Sequence, residues 1–454
     1  MSISIWSILT VILMLGVLVT IHELGHFWMA CLLKIKAYEV SIFIGPKLFS
    51  WKRKGVDYSI RALPFGAYVR FTDYDDQGNP VVSDDPELLI NQKRWKRLLV
   101  AVAGPFMNAV LGVLIFAVMY SVTGFTSLNI GPSLEGTQLY TAAQECPEYQ
   151  MGDTILSVNG DRVFTYLDFF YELDNGVRED QELILKLRSS KSGKTYEMTL
   201  VPELTTRPML GVTYSLDTIE EYGGWEIYAV NEHQNNGNPI LKEGDILIAV
   251  DGKNVIDEDF EEYFAGLTEG DTMHLTFQRD GEIMEEDCIK TMITIANDRG
   301  VRLLAYEVKS FKDFSQAIKT SVMMPATIGN ITFRAIGDVF EGEEEVYNMV
   351  SGPVGVTSVV SDVVDDETDT LAVKVITVIQ LAGIISIGLV YTNMLPIPGL
   401  DGVQVLLIVV EMIIGHKLSD KSEKMINAVG FVMLIALMIF ALTSDIIRIA
   451  IEGH

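Results

Sequence analysis

A chain of 454 residues is long enough for several domains, and its 49% hydrophobic content would be unremarkable were the apolar residues evenly spread. They fall in blocks, while a formal charge of −27 gathers in the middle of the chain, a pattern that repels nucleic acid and excludes it as a partner. The three cysteines, Cys31, Cys146 and Cys288, form neither a disulfide framework nor a CxxC metal spacing; a lone Cys146–Cys288 bridge is the minor alternative to free thiols.

The first apolar block, Ile3 to Leu33, exceeds the roughly 20 residues that a spanning helix needs. It has no basic leader and no small-residue cleavage site, so it is expected to remain as a membrane span and not to be removed as a signal peptide. It carries His22-Glu23-Leu24-Gly25-His26. Residues four apart share a helix face, so His22 and His26 can offer imidazole nitrogens to one metal ion. Glu23 beside them suits a general base that takes a proton from the attacking water. An inter-helix hydrogen-bonded cluster without metal is the bland alternative, but ionisable groups inside a span are costly and functional by default.

Between Lys34 and Arg97 stand Lys52, Arg53, Lys54, Arg61, Lys93, Arg94, Lys96 and Arg97, which marks this loop as cytoplasmic. Within it, Tyr58 to Arg70 reads as two short β-type runs around a Pro64-Phe65-Gly66 turn, a hairpin. The second apolar block, Leu98 to Gly124, holds Gly104-Pro105-Phe106-Met107-Asn108, a segment expected to pack near the site, where Asn108 is either helix-helix glue or a substrate contact.

The acidic region from about 125 to 370 repeats itself. Gly152-Asp153-Thr154-Ile155-Leu156-Ser157-Val158-Asn159-Gly160 returns as Gly244-Asp245-Ile246-Leu247-Ile248-Ala249-Val250-Asp251-Gly252, each a β-type run closed by an Asn-Gly or Asp-Gly turn. Each precedes a candidate helix, Tyr166 to Leu173 and Glu258 to Leu267. These strings resemble PDZ domains, α+β folds that bind peptides by adding a strand to a sheet edge. The first match is looser, because Gln144 to Gln150 lacks the small apolar residues usual there. Peptide ligands of the two domains, or a spacer that filters substrates by size, are both open. From Phe311 to Val364, amphipathic runs and Ser351-Gly352-Pro353-Val354-Gly355 suggest a segment along the outer membrane surface, and the acids Glu343 to Glu345 read as a solvated face.

The third block, Leu371 to Ile414, is interrupted by Asn393-Met394-Leu395-Pro396-Ile397-Pro398-Gly399-Leu400-Asp401-Gly402, which cannot form a regular helix. A break at membrane depth is tolerated where protein buries it or a wet cavity borders it, and an aspartate on such a break is a ligand candidate. Asp401 is therefore the expected third metal ligand, leaving a fourth position open as catalytic zinc requires. At about 1.5 Å per residue, His22 lies some 25 Å inward from Ile5, and Asp401 comes late in an inward-running block, so both fall near the cytoplasmic side. The loop His416 to Met425 holds Lys417, Lys421 and Lys424, and the fourth block runs from Asn427 to Ile451. The charge pattern predicts residues 34–97 and 416–425 inside, with the N-terminus, the acidic region and the C-terminus outside.

His-Glu-x-x-His in the first span and Asn-x-x-Pro-x-Pro-x-Leu-Asp-Gly in the third are both unsubstituted, and through them the chain resembles the site-2 protease family over its whole length. The resemblance implies a polytopic α-helical membrane protein of the bacterial cytoplasmic membrane, with four transmembrane helices, a membrane-associated β-hairpin and two inserted PDZ-like α+β domains. The divisions expected are a membrane core at 1–126, PDZ-like domains at 127–214 and 215–308, an amphipathic linker at 309–370 and a second membrane core at 371–454. It further implies one Zn2+ per chain on His22, His26 and Asp401, with Glu23 as base and Asn393 steadying substrate or oxyanion. In the family the hairpin re-enters the lipid bilayer and lends its edge, here Gly66, Ala67, Tyr68 and Val69, to transmembrane protein substrates such as anti-sigma factors or remnant signal peptides. Val403 stands where many relatives have a second glycine after Asp401-Gly402. A membrane scaffold with a vestigial metal site and a metal transporter are the competing classes; Glu23 between the histidines disfavours both, and the appended domains disfavour transport.

Overall fold

The computed structural model describes residues 4–72, 84–175, 177–178, 180–215, 223–231, 234–257, 259–268, 270–279, 281–341, 352–366, 370–397, 399–417 and 419–452. In chain order the elements are α1 (Ile5–Leu32), β1 (Glu39–Arg53), β2 (Val56–Arg70), α2 (Arg94–Thr123), β3 (Phe125–Ile130), α3 (Gln138–Glu145), β4 (Thr154–Val158), β5 (Asp161–Arg162), α4 (Tyr166–Asn175), β6 (Leu183–Arg188), β7 (Thr195–Leu200), β8 (Leu204–Met209), β9 (Val212–Ser215), β10 (Trp225–Val230), β11 (Ile246–Val250), β12 (Lys253–Asn254), α5 (Phe260–Gly266), β13 (Thr272–Arg279), β14 (Glu282–Ile289), β15 (Thr291–Ala296) and β16 (Leu303–Tyr306). Helices α6 (Phe311–Glu341), α7 (Pro353–Asp365), α8 (Leu371–Met394), α9 (Asp401–Ile414) and α10 (Asp420–Glu452) complete the chain. It divides into two units, one of residues 1–129, 162–172 and 303–454, the other of residues 130–161 and 173–302.

The first unit is the helical one. Among the described residues, four helices are long and apolar enough to cross a membrane: Ile5–Leu32, Arg94–Thr123, Leu371–Met394 and Ala428–Asp445 within α10. Glycines set their spacing: a Cβ at Gly112 of α2 would overlap Ile387 of α8, and one at Gly383 would lie 3.0 Å from Phe116, so small residues let the backbones close up. Phe116, Tyr120, Met324 and Ile387 form a buried cluster joining α2, α6 and α8. The expected linker at 309–370 is thus in part a packed helix, with Ser321 and Thr327 of α6 fully buried. Helix α7 lays Val360 against Val11, Met14 and Leu18 of α1. Its N-terminal N–H groups, from Gly352 and Val354, donate to the buried carboxylate of Asp445 in α10 at 2.9 and 3.1 Å, a helix cap that accounts for an acid inside a span. The acidic run 343–345 and Ser351 lie outside the described residues. Helix α10 starts at Asp420, so the basic loop anticipated at 416–425 is shorter and Lys421 and Lys424 fall within the first five residues of the helix.

The hairpin differs from the sequence expectation. Its turn is at Lys54-Gly55, where φ is positive at both residues (49° and 82°), and Pro64 to Gly66 is a bend inside the single long strand β2. Both strands are bent, and their halves pair differently. Arg53 to Phe49 pairs antiparallel with Val56 to Ile60; Glu39 to Ile42 pairs antiparallel with Arg70 to Ala67 and also flanks Asp57 to Ile60 in the same direction. Two strands therefore make four ribbons side by side, in the order 49–53, 56–60, 39–42, 67–70. Gly16 of α1 meets this sheet, since a Cβ there would lie 3.1 Å from Phe43 and 3.3 Å from the Pro64 carbonyl. Phe27, eleven residues on, packs edge-on against Tyr58. The sheet thus follows α1 for about 16 Å of its length.

The second unit contains both sequence repeats, and their equivalence is visible bond by bond. Asn159-Gly160 and Asp251-Gly252 have positive φ throughout (49°, 95°; 50°, 76°), the turn that closes a two-residue hairpin. The Asn159 side chain accepts from Ile184 N–H, and Asp251 from His274 N–H, each at 2.8 Å. Asp153 and Asp245 accept from the N–H three residues before them. In the first repeat β4, β6 and β7 pair antiparallel; in the second the order is β14-β13-β11-β10-β9 around a core of Ile227, Leu247, Leu275 and Phe277. The anticipated boundaries of 127–214 and 215–308 do not match this organisation. Strand β15 returns to pair with β8, Thr291 opposite Met209, and residues 298–299 then accept from Gln138 and Leu139 of α3. The second repeat is therefore inserted into the first. Residues 162–172, expected in the first repeat, group with the helical unit, where Tyr171 of α4 donates to Asp338 of α6 at 2.8 Å. Cys146 and Cys288 are both free.

Candidate active site

His22 and His26 lie one turn apart on α1, each 8% exposed. The chain breaks between Met394 and Asp401 as the prolines require, with Gly399 at φ 103°. Helix α9 then begins with Asp401 in its first turn, a favourable place for a carboxylate. Gly402 makes the sharp return feasible, because a Cβ there would overlap the carbonyls of Met394 and Leu395. Helix α9 is fastened to α2 by the half-buried ion pair of Arg97 with Glu411 at 2.7 Å and by Arg94 donating to the Gly415 carbonyl at 2.6 Å.

These elements bring three donor atoms together. Asp401 Oδ2 is 2.9 Å from His22 Nε2 and 3.4 Å from His26 Nε2, and the two nitrogens are 3.2 Å apart. Ligands at 2.0–2.1 Å around a tetrahedral zinc stand about 3.3 Å from one another, so the set fits that ion. Asp401 Oδ2 is buried without a hydrogen-bond partner. His26 Nδ1 lies 2.7 Å from the Val100 carbonyl, which only accepts. The proton is therefore on Nδ1, and Nε2 presents a lone pair to the group.

Span two supplies a wall at the segment expected near the site, through Gly104, a residue without a role in the sequence reading. A Cβ at Gly104 would overlap His26 Nε2 and lie 2.7 Å from His22 Nε2, while one at Gly25 would overlap the Ala103 carbonyl. Helices α1 and α2 thus meet glycine to backbone at the two imidazoles. Gly104-Pro105 was the available signal, since glycine and proline inside a span need a packing reason.

Glu23 interacts electrostatically with His22, His26 and Asp401, and its Oε2 accepts from the Val69 N–H at 3.0 Å. Arg70 faces the opposite way, its carbonyl accepting from Tyr38 at 2.8 Å. The N–H and C=O of Val69 therefore point away from the sheet, toward the site. Among the described residues no strand pairs with that outer edge. Of the other anticipated contacts, Gly66 forms the bend at φ 74° and Ala67 and Tyr68 oppose Ile42 and Ser41, with the Tyr68 ring under Arg61. Asn393 is half-buried in the last turn of α8.

A model of peptidase family M50 matches residues 10–437. The chain is 27% identical to a Clostridium acetobutylicum protein whose name assigns it to the zinc metalloproteases, the alignment covering 98% of both chains. A Treponema pallidum protein assigned likewise is 24% identical over 96% of this chain and 97% of its own. The regulator of sigma E protease of Haemophilus influenzae is 21% identical over 98% and 99%.

Proposed function

The chain belongs to peptidase family M50, the site-2 protease family, and is a zinc metalloprotease; from that premise we propose that it cleaves single-span membrane proteins, trimmed beforehand outside the bilayer, within or beside their transmembrane segments. The observation that carries the reading is the convergence of His22, His26 and Asp401, from two separate stretches of apolar helix, on one position. These three residues would hold the zinc. When bound, the ion supplies Lewis-acid polarisation of the scissile carbonyl and acidifies the attacking water. Glu23 takes the proton of that water and passes it to the leaving amine nitrogen. Asn393 would steady the substrate or the developing oxyanion.

A helical substrate must unwind before its amides can react, and the outer edge of residues 67–69 offers replacement hydrogen bonds beside Glu23. The run of the sheet along α1 from Gly16 to Phe27 supports a re-entrant placement, since those residues lie well inside the first apolar helix. The basic residues at 52–54 and 93–97 support a cytoplasmic site, with the acidic repeats on the other face of a bacterial inner membrane. Anti-sigma factors and remnant signal peptides are the substrate classes that fit.

The test is Glu23→Gln with a single-span substrate in liposomes. The amide keeps an acceptor for the Val69 N–H but not the base, so cleavage should fall by on the order of 10²- to 10⁴-fold while zinc content stays at the wild-type level. Normal cleavage by the variant would reject the assignment.

A further inference from the structure

The Gly104-Pro105-Phe106-Met107-Asn108 segment of α2 places two residues, four apart, on the metal side of the helix. Gly104 gives the donors room; Asn108 touches one of them from behind. Its side chain is completely buried, and its amide lies 3.3 Å from His22 Nδ1, with Nδ2 as the nearer atom and Oδ1 left without a partner. Its own backbone carbonyl accepts from Ser386 Oγ of α8 at 2.9 Å, so the residue is held between two helices while the amide addresses the third.

Resting on the zinc reading above, we propose that Asn108 is the positioning residue of His22, its Oδ1 accepting the Nδ1–H and so committing Nε2 to the metal. The chemistry of the donor set requires it. His22 can offer a lone pair at Nε2 only if its proton is on Nδ1, and an N–H at Nδ1 faces a donor when Nδ2 is turned toward it. A half-turn of the amide exchanges the two atoms and pairs donor with acceptor. The two histidines are then held alike: His26 by the Val100 carbonyl, His22 by a side-chain carbonyl one face of α2 further along. An amide, unlike a carboxylate, also serves the other tautomer, donating from Nδ2 when Nδ1 is bare. It can therefore hold the ring in place before and after metal binds.

The test is the zinc affinity of the purified full-length enzyme, by competition with a chromophoric chelator, together with the cobalt(II) absorption band that reports ligand geometry. Asn108→Leu keeps the volume and removes both polar atoms; it should weaken zinc binding by on the order of ten- to a hundredfold and lower the cobalt band. Asn108→Asp keeps an acceptor for Nδ1–H and should restore most of the affinity. If Asn108 were only packing between helices, a buried carboxylate would be at least as damaging as leucine. Wild-type affinity in Asn108→Leu, or equal losses in both variants, would overturn the proposal. Absence of stoichiometric zinc from the wild-type protein would instead reject the site itself.

Discussion

His22, His26 and Asp401, which the fold brings together, each belong to a pattern that is local in the chain: an i, i+4 pair on a helix, and an acid on a helix break. Gly104-Pro105 and Asn108 marked their segment as one that packs near the site, but what each touches was not readable, since that belongs to another helix and no spacing within α2 announces it. The structure assigns Gly104 a sharp consequence. Its α-hydrogens face the two Nε2 atoms, so Gly104→Ala puts a methyl group at the metal position while improving the local helix propensity by about 1 kcal/mol. Zinc content should drop to near zero, as it should in Asp401→Ala, with the helical circular dichroism of the detergent-solubilised protein unchanged. Full zinc occupancy in Gly104→Ala would show that the wall can yield and that α2 does not bound the site.

At the scale of elements, the helix break was legible and the bent sheet was not. Alternation runs from Val56 to Arg61 and then lapses into an apolar run, where a proline with a glycine looks like a turn, but the chain reverses at Lys54-Gly55. One buried acid reinforces the ladder around the 39–42 ribbon. The carboxylate of Glu39, only 7% exposed, lies 3.0 Å from Lys47, 2.9 Å from Arg61 and 3.6 Å from Arg70, cations outside its own ribbon. Burial opposes its charge, but Arg61 and Lys47 outweigh it and bring the pKa from 4.5 down to about 2. The folded value is the lower, so this contribution is complete above 4.5 and is lost as pH falls toward 2. Its size is on the order of 3 kcal/mol. Glu39→Gln should therefore raise the hydrogen-exchange rates of residues 39–42 and 67–70 at neutral pH, and the difference from wild type should shrink steadily between pH 4.5 and 2. A pH-independent difference would assign the effect to packing. Because the 67–70 ribbon carries the Val69 N–H that meets Glu23, the same salt-bridge knot positions the edge beside that carboxylate.

At the scale of the molecule, the repeat was legible because both copies need the same turn and the same aspartate, but its nesting was not, because the return strand β15 carries no copy of the motif. The nesting permits a clean excision. Met209 and Thr291 are directly opposed at the end of the β8/β15 ladder, so replacing residues 210–290 by Asn-Gly should close the ladder with a two-residue turn of the favoured type. That change removes the whole second repeat and leaves the first repeat, the spans and every metal donor in place. Two roles for the repeat then make opposite predictions. As a size filter, its loss should let the enzyme cleave substrates with intact ectodomains and leave trimmed substrates unaffected. As a peptide-capture module, its loss should lower cleavage of trimmed substrates whose new termini it holds by strand addition. We favour the filter, because a substrate confined to the bilayer already meets the site at high effective concentration and gains little from a weak second anchor. Matched trimmed and untrimmed substrates, each assayed with full-length and excised enzyme at equal zinc content, separate the two. Unchanged discrimination against the untrimmed substrate would reject the filter, and a fall confined to the trimmed one would establish capture.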